Sequence, residues 1–158
     1  MDLDYKIYLE RAENEINLSE IIMELSLNKD IQIKSFSLKK IDTYFSSVIS
    51  HAYYCIFYCA KAYLLTKGVK TEFPEEHKKT YEEFKKFVEE GTIDVELLKL
   101  YKKTLIKAET ILGIFKIEKK KRTEFTYQKL VQANIEPARE SIENARTFFK
   151  NIYSLCEK

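Results

Sequence analysis

Glycine and proline are scarce in this chain. Three Gly and two Pro stand among 158 residues, where an average composition would supply roughly 19. Sheets and long loops need that punctuation, so the shortage argues against sandwiches, barrels and Gly-rich phosphate-binding folds. A few long helices are expected instead. Tryptophan is absent, and cysteines number only three. An odd count without secretory context speaks against a disulfide framework and fits a reducing cytoplasm. The N-terminus, MDLDYKIYLERAENE, is acidic and amphipathic, unlike a signal or transit peptide. No charge dominates either: 27 Lys and Arg against 25 Asp and Glu leave +2, so no global basic field marks a nucleic-acid binder. P-loop, GxGxxG and serine or carboxylate nucleophile motifs are missing too.

What the chain does have is a core. Hydrophobic residues make up 45% and charged residues 33% of 18.8 kDa, a globular composition for one domain spanning residues 1–158. Charge is unevenly spread: residues 2–24 hold seven acids and two bases, and residues 99–122 hold nine bases and two acids. The longest apolar stretch, Phe45–Leu65, contains His51, Lys61 and four tyrosines. A membrane span would tolerate few of those groups away from its ends, so this reads as a helix buried on most sides, the hub of a bundle.

Periodicity places five helices. The first runs from Asp4 to Leu27 with Tyr5, Leu9, Ala12, Ile16, Ser19 and Met23 on one face. Residues 31–40 show no clean period. The second runs from Leu38 to Thr66 and stops before Gly68, with Ala52, Cys55, Cys59 and Ala62 as a small-residue stripe for close packing. A third, short helix starts near Pro74 with His77, Tyr81, Phe84 and Val88 on its apolar face, and Gly91 closes it. The fourth begins at an Asp94 cap and carries Leu98, Tyr101, Leu105, Ala108, Leu112 and Phe115. The fifth opens at Pro137 and buries Ala138, Ile142, Ala145, Phe149, Ile152 and Cys156. The expectation is an all-α, five-helix up-and-down bundle.

Few residues offer chemistry. His51, Cys55 and Cys59 share one helix face, but three ligands strung along it span roughly 12 Å, too far for one tetrahedral ion. No metal site and no cofactor are expected. His77, near a helix start, reads as a structural cap. His51 reads as partly buried and hydrogen-bonded. After the fourth helix, Lys116, Lys119, Lys120, Lys121 and Arg122 are followed by Phe125 and Tyr127. This run is either a solvated helix end or a phosphate contact with a stacking ring beside it.

The stretch SHAYYCIFYCAKAYL at Ser50–Leu64 resembles the signature helix of HEPN domains. His77, KRTEFTYQ at Lys121–Gln128 and ARESIENARTFF at Ala138–Phe149 follow in the order that family would place them. The resemblance covers about residues 4–153. It implies a helical bundle that often dimerises, in nucleic-acid defence or toxin–antitoxin settings, with a minimal nucleotidyltransferase as a frequent partner. Active members are metal-independent ribonucleases with an Arg, four to six residues, then a His. Here Arg122 is followed by Tyr127 and no His stands beyond it. With a pKa near 10, tyrosine is a poor proton shuttle at neutral pH.

The expected function is therefore that of a catalytically degenerate binding module for RNA or nucleotide, homodimeric, off the membrane. Lys119, Lys120, Lys121, Arg122 and Tyr127 form its expected ligand site. The alternative is a ribonuclease toxin using Arg122 with His51 or Tyr127.

Overall fold

The structure, a computed structural model, describes residues 4–112 and 135–158. Five α-helices appear in it: α1 (Asp4–Leu27), α2 (Phe45–Thr66), α3 (Glu76–Glu89), α4 (Val95–Leu112) and α5 (Ile135–Cys156). A single π-helical turn, Ile31–Ser35, adds a sixth helical element, and no strand occurs among the described residues. The fold is an all-α bundle.

α2 is its hub, in contact with every other α-helix. Ala52, Cys55, Cys59, Ala60 and Ala62 are wholly inaccessible, and their small side chains let neighbouring backbones come close. The Cys55 thiol lies 4.0 Å from the carbonyl of Ala145 on α5. α1 runs antiparallel to α2. Ser19 donates to the Val48 carbonyl at 2.7 Å, Glu15 meets His51 at 2.6 Å, and Arg11 meets Tyr58 at 2.7 Å. α4 and α5 are antiparallel as well, through Lys107–Glu140 at 3.0 Å and Tyr101–Phe148 at 5.6 Å between ring centres. The pairs between α2 and α3 instead advance together, His77 on Phe57 and Phe87 on Tyr63.

An aromatic knot ties α2 to α5 through α3 and α4. Phe84 lies 5.6 Å from Tyr101, 5.4 Å from Phe148 and 6.2 Å from Tyr63. Rings in such tilted and edge-on pairs add favourable quadrupole contacts to their burial.

α1 keeps the expected bounds, and all six residues of its anticipated face are buried. Gly68 at φ +74° and Gly91 at φ +82° end α2 and α3 in the left-handed conformation that glycine adopts without strain. The Asp94 side chain accepts from the Glu96 amide at 2.9 Å, as a cap should.

Three details differ from expectation. α2 begins at Phe45, not Leu38, because residues 36–44 form a clasp around Gln32. That fully buried amide donates to the carbonyls of Leu25 (2.7 Å) and Asp42 (2.9 Å) and accepts from the Asp42 amide at 3.0 Å. Ser37, at φ +53°, turns the chain there. α3 starts at Glu76, since Glu75 is itself left-handed. On α5 the fully buried ring is Phe148, which joins the knot, whereas Phe149 is only half-buried. Phe115 lies outside the described residues.

Candidate functional site: a tyrosine, histidine and cation face on α1 and α2

The basic and aromatic run expected to bind ligand, including Lys119, Lys120, Lys121, Arg122 and Tyr127, lies outside the described residues. His51 lies within them, half-buried as anticipated. Its Nδ1 donates to Glu15 Oε2 on α1 at 2.6 Å, and its Nε2 makes no hydrogen bond among the described residues. A carboxylate on one ring nitrogen fixes the tautomer and leaves the other nitrogen available for proton transfer.

One and two turns further along α2 stand Tyr54 and Tyr58, stacked with ring centres 6.2 Å apart. Tyr8 of α1 extends the stack at 6.0 Å from Tyr58. The Arg11 guanidinium sits 4.3 Å from the Tyr58 ring centre, and its Nη2 donates to the Tyr58 hydroxyl at 2.7 Å. Burial raises the pKa of both Tyr54 and Tyr58. Arg11 offsets part of the shift at Tyr58, and the Glu15 carboxylate adds to it at Tyr54. Both phenols therefore stay neutral at physiological pH.

Beyond the tyrosines lies Lys61, a cation in the C-terminal third of the most buried helix. It is 6% exposed, ion-paired with Glu76 at the start of α3, and 4.9 Å from the Tyr8 ring centre. A cleft of about 210 Å³ opens there, lined by Tyr8, Arg11, Lys61, Leu65 and Lys70 among others.

His77 occupies the opposite border of the same face. It does not cap α3, contrary to expectation: its ring bonds instead to Tyr53 and packs on α2. Its ring stacks on Phe57 at 4.0 Å, and its Nδ1 shares a hydrogen bond with the Tyr53 hydroxyl at 2.7 Å. Burial lowers its pKa, Glu76 works against that, and Lys61 reinforces it. The tertiary structure thus brings both histidines of the chain to one aromatic surface, since His77 also lies edge-on to Tyr54 at 5.9 Å.

Most of this site escaped the sequence reading, although its spacing was legible. His51, Tyr54, Tyr58 and Lys61 fall at steps of three, four and three, and Tyr8, Arg11 and Glu15 at steps of three and four. Each set is one helix stripe. The stripes invite a packing explanation, and only the pairing of α1 with α2 shows that they meet. The cysteines play no such part. Cys55, Cys59 and Cys156 are buried free thiols, burial pushes Cys156 up to about 12 and raises Cys59 as well, and no three metal-ligating residues converge among the described residues. No described helix is long and apolar enough to cross a membrane.

A family model described as HEPN domain matches residues 28–157. No curated protein and no solved structure matches the chain. The matched range holds His51, Tyr54, Tyr58, Lys61 and His77, while Tyr8, Arg11 and Glu15 come from the helix that precedes it. With four of the five α-helices inside that match, the α2 hub included, the chain belongs to the HEPN domain family.

Proposed function

We propose that this protein is a binding module for single-stranded RNA, without catalysis of its own. The observation that carries the reading is the half-exposed Tyr54–Tyr58–Tyr8 stack with the Arg11 guanidinium laid over it. Unpaired bases stack on aromatic rings regardless of sequence, and cations beside them hold the phosphates. The run Lys119, Lys120, Lys121 and Arg122, with Tyr127 beyond it, supplies further charge of the same kind in the sequence. A toxin–antitoxin or defence setting, a homodimer and a minimal nucleotidyltransferase partner belong to the same proposal and rest on family membership.

Fluorescence anisotropy with a labelled ten-nucleotide single-stranded RNA tests it. Tyr58→Ala should weaken binding about tenfold, one stacked base being worth about 1–3 kcal/mol. Arg11→Ala should lower the salt slope by about one phosphate contact. Affinity unchanged in the double variant would remove this face from the proposal.

The His51–Glu15 pair favours a second reading, a metal-independent ribonuclease in which His51 moves the proton of the ribose hydroxyl. RNA cleavage in EDTA, lost in His51→Ala and kept in Tyr58→Ala at saturating RNA, would establish it over the first.

A further inference from the structure

Lys61 has hydrogen-bond donors to spare. An ammonium carries three N–H groups, and among the described residues only the Glu76 carboxylate accepts from this one. The Tyr8 and Phe57 rings, centred 4.9 Å and 5.7 Å from the nitrogen, attract its charge without accepting a full hydrogen bond. Leaving a buried donor unmade is costly. This one lines the cleft of about 210 Å³ between the start of α1 and the end of α2. A ligand with acceptor oxygens would complete it.

The cleft is placed to meet the end of a strand. The ring stack runs from Tyr54 to Tyr58 to Tyr8, and Tyr8 is itself part of the cleft wall. Val69, Lys70, Thr71 and Glu72, where the chain has left α2, bound the cleft as well. That segment is pinned: the Thr71 hydroxyl shares a 2.6 Å hydrogen bond with the Thr80 hydroxyl of α3, and both residues are buried. Bases laid along the three rings therefore lead toward a wall, not along an open groove.

Charge narrows the ligand further. Arg11, Lys61 and Lys70 are the cations of the cleft, and Asp4 and Glu72 are its carboxylates. Glu72 stands 3.6 Å from Lys70 with both side chains largely exposed, and a pair of that kind holds weakly. A phosphate monoester brings close to two negative charges and three acceptor oxygens. It can draw Lys70 from Glu72 and also satisfy the remaining donors of Lys61. A strand that ends in a hydroxyl offers neither. We infer that this cleft holds the terminal phosphate of an RNA strand whose bases stack on Tyr8, Tyr58 and Tyr54. The inference rests on the RNA-binding reading and names the class of strand it prefers. Lys61 and Lys70 meet the phosphate oxygens, while Glu76 keeps the Lys61 ammonium in position.

Isothermal titration calorimetry of the full chain with three unlabelled ten-nucleotide RNAs of one sequence decides the matter. One carries a 5′-phosphate, one a 3′-phosphate, and one a hydroxyl at both ends. At least one phosphorylated strand should bind about tenfold tighter than the hydroxyl strand, and which one gives the direction of the strand along the rings. Lys70→Gln, at an exposed position, should bring that ratio close to one. Lys61→Met keeps the buried stem and should do the same, with circular dichroism to check its fold; Lys70→Gln carries the test if that variant does not fold. Tyr58→Ala should weaken all three strands and preserve the ratio. Equal affinity for the three strands would overturn the inference and leave the RNA-binding reading standing, whereas binding by none of them would end both. Inorganic phosphate that competes at the concentration of the phosphorylated strand would also overturn it, since the cleft would then belong to the free anion.

Discussion

Gln32 shows how much one side chain can organise. Its amide group satisfies two carbonyls and one amide on residues seven before and ten after it in the chain, and nothing apolar can replace that. Gln32→Leu keeps the bulk but strands those backbone groups inside the protein, so urea unfolding should register a loss of about 1–3 kcal/mol. Amide exchange over residues 28–44 should quicken with it. Cys55 depends on size instead of polarity. Packed without any exposed surface against α5, it has no room for two more carbons, and Cys55→Leu should cost about 1–3 kcal/mol by overpacking. In the native protein the buried thiol should react with Ellman's reagent far more slowly than after denaturation. The demand for small residues at 52, 55, 59 and 62 could be read from their spacing. The role of Gln32 could not, because its partners lie seven and ten residues away along a stretch with no repeating pattern.

At the scale of elements, α3 carries a pH response. Burial holds the His77 pKa below its ordinary 6.5, so the unfolded chain binds a proton more readily than the folded one does. The resulting stability is present in full above pH 6.5 and is lost as pH falls from there through the lower folded-state value. Thermal unfolding should therefore be level between pH 7 and 8 and decline toward pH 5. His77→Phe should preserve the stack on Phe57 and forfeit the Tyr53 hydrogen bond, costing about 1 kcal/mol at pH 7.5. The decline on acidification should be shallower in that variant; an identical decline would assign it to other groups. Hydrophobic period and glycine placement located α1, the ends of α2 and α3, and the cap of α4. They misjudged the start of α2, because a period detects which residues face a core and not where the backbone gives up its helical bonds.

For the whole molecule, the salt dependence of RNA binding measures how much of the charge is used. Replacing Lys119, Lys120, Lys121 and Arg122 together by alanine should lower the slope of log K against log salt by about three, at roughly 0.7 per single-strand phosphate contact. A slope that does not change would leave the α1–α2 face as the sole phosphate contact of the proposal.

By itself the sequence determined that this protein is helical, which faces of α1 and α2 are buried, and that the α2 helix is its hub. Those properties follow from local spacing, because a helix returns to the same side every three to four residues. The tertiary structure alone decided that Glu15 would orient His51, that Arg11 would lie over Tyr58, and that both histidines would border one aromatic surface. These partners are 36 residues apart at His51 and Glu15 and 47 apart at Arg11 and Tyr58. Their meeting depends on how α1 lies against α2, which the whole core fixes and no local pattern records.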